Sequence, residues 1–105
     1  MTPPPRPFRL VYRAFDAVDF DPAKSDEVFE LRGFDLAYAR RVFPGYVLER
    51  EDTREDYGEP RFRVIGEVLQ DILVVIYTPR GSTCRLITAW EAENWELDLW
   101  YERFS

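Results

Sequence analysis

The spacing of apolar residues changes period twice along this chain, and the changes predict the order helix, helix, sheet, helix. Asp21-Pro22 opens the first helix. An aspartate can accept from the free amides of a first turn, and a proline at the first helical position gives up a hydrogen bond that no helix makes there. This helix is expected to run to about Arg32, where Gly33 suits a left-handed stop. Asp35 then caps a second, short helix whose Leu36, Ala39, Val42 and Phe43 share a face, and Pro44-Gly45 ends it. From Tyr46 to Arg50 the pattern is that of a strand, and residues 51 to 58 form a charged, solvated turn. Residues 60 to 68 and 72 to 78 read as two strands joined around 69 to 71, and Gly81-Ser82 turns the chain into a third that ends near Ile87. Thr88-Ala89-Trp90-Glu91 has the spacing of a capping box, so a third helix is expected from Thr88 to about Arg103.

That last helix carries two apolar stripes, Ala92-Trp95-Leu99 and Trp90-Leu97-Tyr101-Phe104, more than one sheet face requires. It is either broadly anchored in the core or a docking surface, built on Trp90, Leu97 and Tyr101, for a partner helix or a second copy of the chain. Ahead of residue 16, prolines at positions 3, 4, 5 and 7 predict an extended leader. Residues 8 to 15 read as a strand or arm, with Arg6, Arg9 and Arg13 unmatched by acids nearby. Residues 16 to 105 are then one α+β domain, since 105 residues leave no room for a second core.

Charge and residue types narrow the chemistry. A net charge of −6 has the wrong sign for general attraction to a polyanion, so any nucleic-acid contact must come from local patches. Lys24 is the one lysine, and the other cations are arginines, whose planar fork suits phosphate and carboxylate. Histidine is absent, which removes the usual neutral-pH base and the commonest zinc ligand. With no glycine-rich phosphate loop and no cluster at ligand spacing, neither cofactor nor metal is expected. Cys84 stands alone within an apolar run and reads as a small core residue. The run Ile72-Leu73-Val74-Val75-Ile76 is far short of a membrane span, and no signal-peptide core begins the chain, so a cytoplasmic protein is expected.

Asp21-Pro22-Ala23-Lys24, Gly33, Ala39 and Val42-Phe43 together resemble the pattern W-D-P-x-K, a lysine–histidine–glycine triplet and A-x-x-V-F of the BrnT family. Gly58-Glu59-Pro60-Arg61-Phe62-Arg63-Val64-Ile65-Gly66 is similar to its G-E-x-R-F-x-x-I-G strand. Leu73-Val74-Val75-Ile76-Tyr77-Thr78, Arg80-Gly81 and Arg85-Leu86-Ile87-Thr88-Ala89 resemble its L-V-V-V-Y-T, R-G and R-I-I-S-A elements. The likeness extends over about residues 18 to 102. It departs from the family where Val28, Leu31 and Arg32 replace polar groups, and where Trp90 and a run of acids follow Ala89 in place of basic residues.

The resemblance implies a RelE-like α+β fold, a curved antiparallel sheet of about four to five strands with two N-terminal helices and one C-terminal helix on one side. It implies a metal-independent endoribonuclease toxin of a type II toxin–antitoxin module, neutralised by a DNA-binding antitoxin. Cleaving RNA at its own 2′-hydroxyl needs a base, cations for the charge growing on phosphate, and a proton for the leaving oxygen. Arg61 and Arg63, two apart on one strand, share a face, and Arg85 joins them if its strand is in register. Glu59 has the same parity, so the candidate catalytic residues are Lys24, Glu59, Arg61 and Arg85, with Arg63, Arg80 and Tyr77 as RNA contacts. The rival readings are a BrnT fold that has lost catalysis and binds a protein through its last helix, and a structural domain whose arginines are merely solvated.

Overall fold

The computed structural model describes residues 7–104, so all of the proline leader except Pro7 lies outside the described residues. Arg9–Arg13 (β1) and Ala17–Phe20 (β2) precede the first helix, Pro22–Arg32 (α1). Asp21 caps α1 by accepting from the Ala23 amide at 3.0 Å, and Gly33, at φ 83°, ends it with a bond to the Phe29 carbonyl. The expected second helix is a single α turn, Leu36–Ala39 (α2), followed by a 3-10 turn, Arg40–Val42. Asp35 caps it through the Tyr38 amide at 2.8 Å, and the buried Ser25 hydroxyl accepts from the Leu36 amide at 3.0 Å, tying α2 to α1. The remaining elements are Gly45–Glu51 (β3), Phe62–Val68 (β4), Asp71–Arg80 (β5), Thr83–Glu91 (β6) and Asn94–Phe104 (α3).

The strands form one six-stranded sheet in the order β1-β3-β4-β5-β6-β2, against the four to five expected. It is mixed, not antiparallel, because β2 runs parallel to β6 while the other pairs are antiparallel. The arm, residues 8 to 15, contributes β1, one edge of the sheet, paired with β3 from Arg9↔Glu49 to Arg13↔Gly45; β2, which follows the arm, is the other edge.

Helices cover both faces of the sheet rather than one. Val28, Leu36, Ala39, Val42, Val64, Leu73, Val75, Tyr77, Leu86 and Ala89 make a core under α1 and α2. Residues of opposite parity, Leu48, Ile65, Ile72 and Val74, make a second core around Trp100 of α3. Both layers are needed because β5 is buried continuously from Ile72 to Thr78, the pattern of a strand covered on its two faces.

Helix α3 starts six residues later than the capping pattern at Thr88 predicts. Ile76↔Thr88, Val75↔Ala89, Val74↔Trp90 and Leu73↔Glu91 extend β6 along β5 as far as Leu73, and this pairing takes the residues that a helix would have used. The side chain that reaches back to the start of α3 is Glu96, which accepts from the Glu93 amide at 2.9 Å.

Candidate functional site

One irregularity in the sheet decides which arginines meet. Between Ile76 and Tyr77 the β5–β6 register shifts, leaving Ile87 unpaired and setting Tyr77 opposite Leu86 and Thr78 opposite Arg85. The extra residue reverses the parity of β6, so Arg85 shares a face with Thr78 and not with Tyr77. Phe62↔Tyr77 is the matching pair on β4, which puts Arg61, the residue before it, level with Thr78. On the other side Asp19 of β2 is registered to Arg85. Arg61, Thr78, Arg85 and Asp19 thus form a row across β4, β5, β6 and β2, with the two arginine backbones about two strand spacings, roughly 10 Å, apart.

Glu59 stands at the head of this row. Its carboxylate lies 3.8 Å from the Arg61 guanidinium and 3.7 Å from that of Arg80, and 3.4 Å from the Thr78 hydroxyl. Arg61 is mostly buried and rests 4.0 Å over the Tyr57 ring, while its Nε is buried without a hydrogen-bond partner. At the far end Arg85 faces Asp19 at 3.5 Å. The chain leading into Glu59 is less open than a solvated turn: Asp52 is buried and accepts from Arg54 Nε and Nη2, both at 2.8 Å. Burial opposes the charge on Asp52, but the Arg54 bonds outweigh it and hold the carboxyl below its ordinary range.

Three expected members are not brought to the row. Arg63 is covered by α3, where it donates to Glu96 at 2.8 Å and packs against Trp90 and Trp95 at 5.1 and 5.6 Å. With side-chain exposures of 13% and 0%, the pair is an internal bond of the fold, closed to a phosphate backbone. Tyr77 points to the opposite core, where it is 2% exposed and its hydroxyl donates to Glu49. Burial and the Glu49 bond push its phenol far above the ordinary value, so it stays protonated at any physiological pH. Lys24 lies on α1, in the layer on that same side of the sheet, and pairs with Glu27 at 3.5 Å.

The expected docking residues also separate. Trp90 and Leu97 pack into the second core, and Trp90 lies under the Arg63 and Arg54 guanidinia. Tyr101 is exposed, as is Trp95, at 52% and 43%.

Sequence reasoning missed a second polar cluster. Glu49, 2% exposed, accepts from Arg13 Nε at 3.0 Å, from Arg13 Nη2 and from the Tyr77 hydroxyl. The sequence offered little signal, since Glu49 follows Val47-Leu48 but opens the charged run Glu49-Arg50-Glu51, and its partners lie 36 and 28 residues away. Cys84 sits in the same core; burial, with the nearby charges of Asp19 and Glu49, pushes its thiol up to about 12, which leaves no thiolate for chemistry at neutral pH.

A family model for the ribonuclease toxin BrnT of type II toxin–antitoxin systems matches residues 20–96. The chain belongs to the BrnT family. No curated protein matches it. The BrnT match includes Glu59, Arg61, Thr78, Arg80 and Arg85, and it includes Glu49 and Tyr77 but not β1 with Arg13. BrnT proteins are toxins with an antitoxin partner, and among the described residues no helix is long and apolar enough to cross a membrane.

Proposed function

We propose that this BrnT protein is an endoribonuclease that cuts RNA by attack of a 2′-hydroxyl on the neighbouring phosphate, with Glu59 as base and Arg61, Arg80 and Arg85 as phosphate clamps. The observation that carries the reading is the row with Glu59 at its head: a carboxylate within 4 Å of two arginines, one of which, Arg61, is level with a third, Arg85, on the same sheet face. Glu59 takes the 2′ proton, the oxygen attacks phosphorus, and the arginines hold the charge that grows on the non-bridging oxygens. The leaving 5′ oxygen takes a proton from solvent, which reaches this end of the sheet beside the exposed Arg80. The products are a 2′,3′-cyclic phosphate and a 5′-hydroxyl, and the reaction calls for no metal. On this reading the protein meets its RNA substrate and a DNA-binding antitoxin in the cytoplasm.

A second reading has its own support. Each cation of the row already holds a carboxylate of the same chain, Glu59 on Arg61 and Arg80, Asp19 on Arg85, and Arg63 belongs to Glu96. On that reading the fold has lost cleavage and serves as a binding module for its antitoxin.

Induced expression in a bacterial host separates the two. Arg85 is partly exposed and paired over 3.5 Å, so removing it costs the fold about 1 kcal/mol; Arg61 is more buried and packs on Tyr57, so the double variant is first shown to be folded by circular dichroism. Growth arrest with loss of RNA, relieved by Arg61→Ala/Arg85→Ala, is the outcome expected of the nuclease. Cleavage of purified RNA that survives EDTA and leaves cyclic phosphate ends supports the route given. Normal growth with folded native protein favours the module.

A further inference from the structure

The β4–β5 ladder ends at Phe62↔Tyr77, yet the residues that matter most for cleavage, Glu59 and Arg61, lie beyond that end. Pro60 between them has no amide hydrogen with which to extend the ladder. The segment from Asp52 to Arg61 crosses from β3 to β4 without a helix or strand of its own. On the β3 side the Asp52 amide donates to the Arg61 carbonyl at 2.8 Å. On the β5 side the Thr78 hydroxyl donates to the Pro60 carbonyl at 2.6 Å.

We infer that Thr78 is a positioning residue of the ribonuclease site, its buried hydroxyl fixing where Glu59 and Arg61 stand relative to Arg85. The inference rests on the ribonuclease reading given above. Thr78 is 1% exposed, in a strand otherwise apolar from Ile72 to Tyr77. Valine has the same branched shape and would fill that place without a polar atom, so packing alone does not call for the hydroxyl. A hydroxyl has one proton, and it goes to the nearer acceptor, the Pro60 carbonyl; the Glu59 oxygen at 3.4 Å is the second and weaker acceptor. The backbone of the same residue is registered to Arg85. One residue thus joins the two halves of the site, by its side chain to the Glu59–Arg61 segment and by its main chain to the strand of Arg85.

Thr78→Val and Thr78→Ser test this in purified full-length protein, with a short RNA as substrate. Thr78→Val is expected to lower kcat by about 10- to 100-fold with KM within about twofold, because misplaced groups lose transition-state contacts before ground-state binding. Thr78→Ser, which keeps the hydroxyl and loses the methyl, is expected to restore kcat to within about threefold of the native value. Hydrogen exchange of the amides between residues 52 and 61 should speed up in Thr78→Val and not in Thr78→Ser. Native kcat in Thr78→Val, or an equal fall in both variants, overturns the inference. If the native protein cuts no RNA, the ribonuclease reading falls by itself, and amide exchange still decides about Thr78: unchanged exchange in Thr78→Val overturns its role as the anchor of the segment, and faster exchange upholds it.

Discussion

Removing the Arg13 side chain leaves Glu49 buried at 2% exposure with the Tyr77 hydroxyl as its remaining partner. Breaking a buried pair in this way costs about 3 to 5 kcal/mol, most of it the penalty of an uncompensated charge. The Arg13 side chain is 33% exposed, so water can take part of its place, and the lower end, about 3 kcal/mol, is expected for Arg13→Ala. In a domain of this size that is a fall of roughly 12 to 24 °C in the melting temperature. If the charge is the cause, Arg13→Ala/Glu49→Gln should recover at least about 1 kcal/mol relative to Arg13→Ala, since glutamine still accepts from Tyr77 and carries no charge. Urea unfolding followed by tryptophan fluorescence measures both, with m-values checked for constancy. A loss below about 1 kcal/mol for Arg13→Ala, the size of a surface pair, would refute the reasoning. So would a double variant no more stable than the single one.

Other outcomes follow from the same contacts. Glu96→Ala deprives Arg63 of its carboxylate and the Glu93 amide of its acceptor, and should cost about 3 kcal/mol or more with loss of near-ultraviolet dichroism from Trp90, Trp95 and Trp100; an unchanged spectrum and stability would show that α3 is held otherwise. Gly66→Ala puts a methyl carbon 2.9 Å from Val42 Cβ and 3.1 Å from Val47 Cγ1, so a loss of about 1 to 3 kcal/mol is expected in thermal unfolding. Because burial raises the Cys84 thiol from 9.0 to about 12, the folded state keeps a proton that the unfolded chain gives up first; stability is whole below pH 9.0 and falls as pH rises toward 12. A thiol reagent at pH 8 should accordingly label Cys84 at the rate of unfolding, and prompt labelling of the native protein would contradict its burial.

Local chemistry made part of this fold legible in the chain. Asp21-Pro22 and Gly33 delimit α1 because a cap, a first-turn proline and a left-handed glycine act within a few residues of themselves. The strands of the central sheet showed in their β-branched runs, and their parity put Arg61 and Arg63 on one face. Parity could not say which part of that face a helix would cover, so Arg63, two residues from Arg61, ended under α3 on Glu96 while Arg61 stayed beside Glu59.

Everything that depends on distant pairing was decided by the tertiary structure alone. Ala17–Phe20 carries little strand signal and becomes β2 because β6 offers a free edge. The capping pattern at Thr88 lost to Leu73, Val74, Val75 and Ile76 of β5, which needed partners, and the true start of α3 moved to Asn94. The bulge at Ile87 reversed the parity of β6, and with it turned Arg85 toward Thr78 and left Tyr77 facing Glu49 on the other side. Sequence by itself determined α1, the central strands and the residue types available for chemistry; register, which costs chain entropy and is fixed only when the strands meet, determined which of those residues share a site.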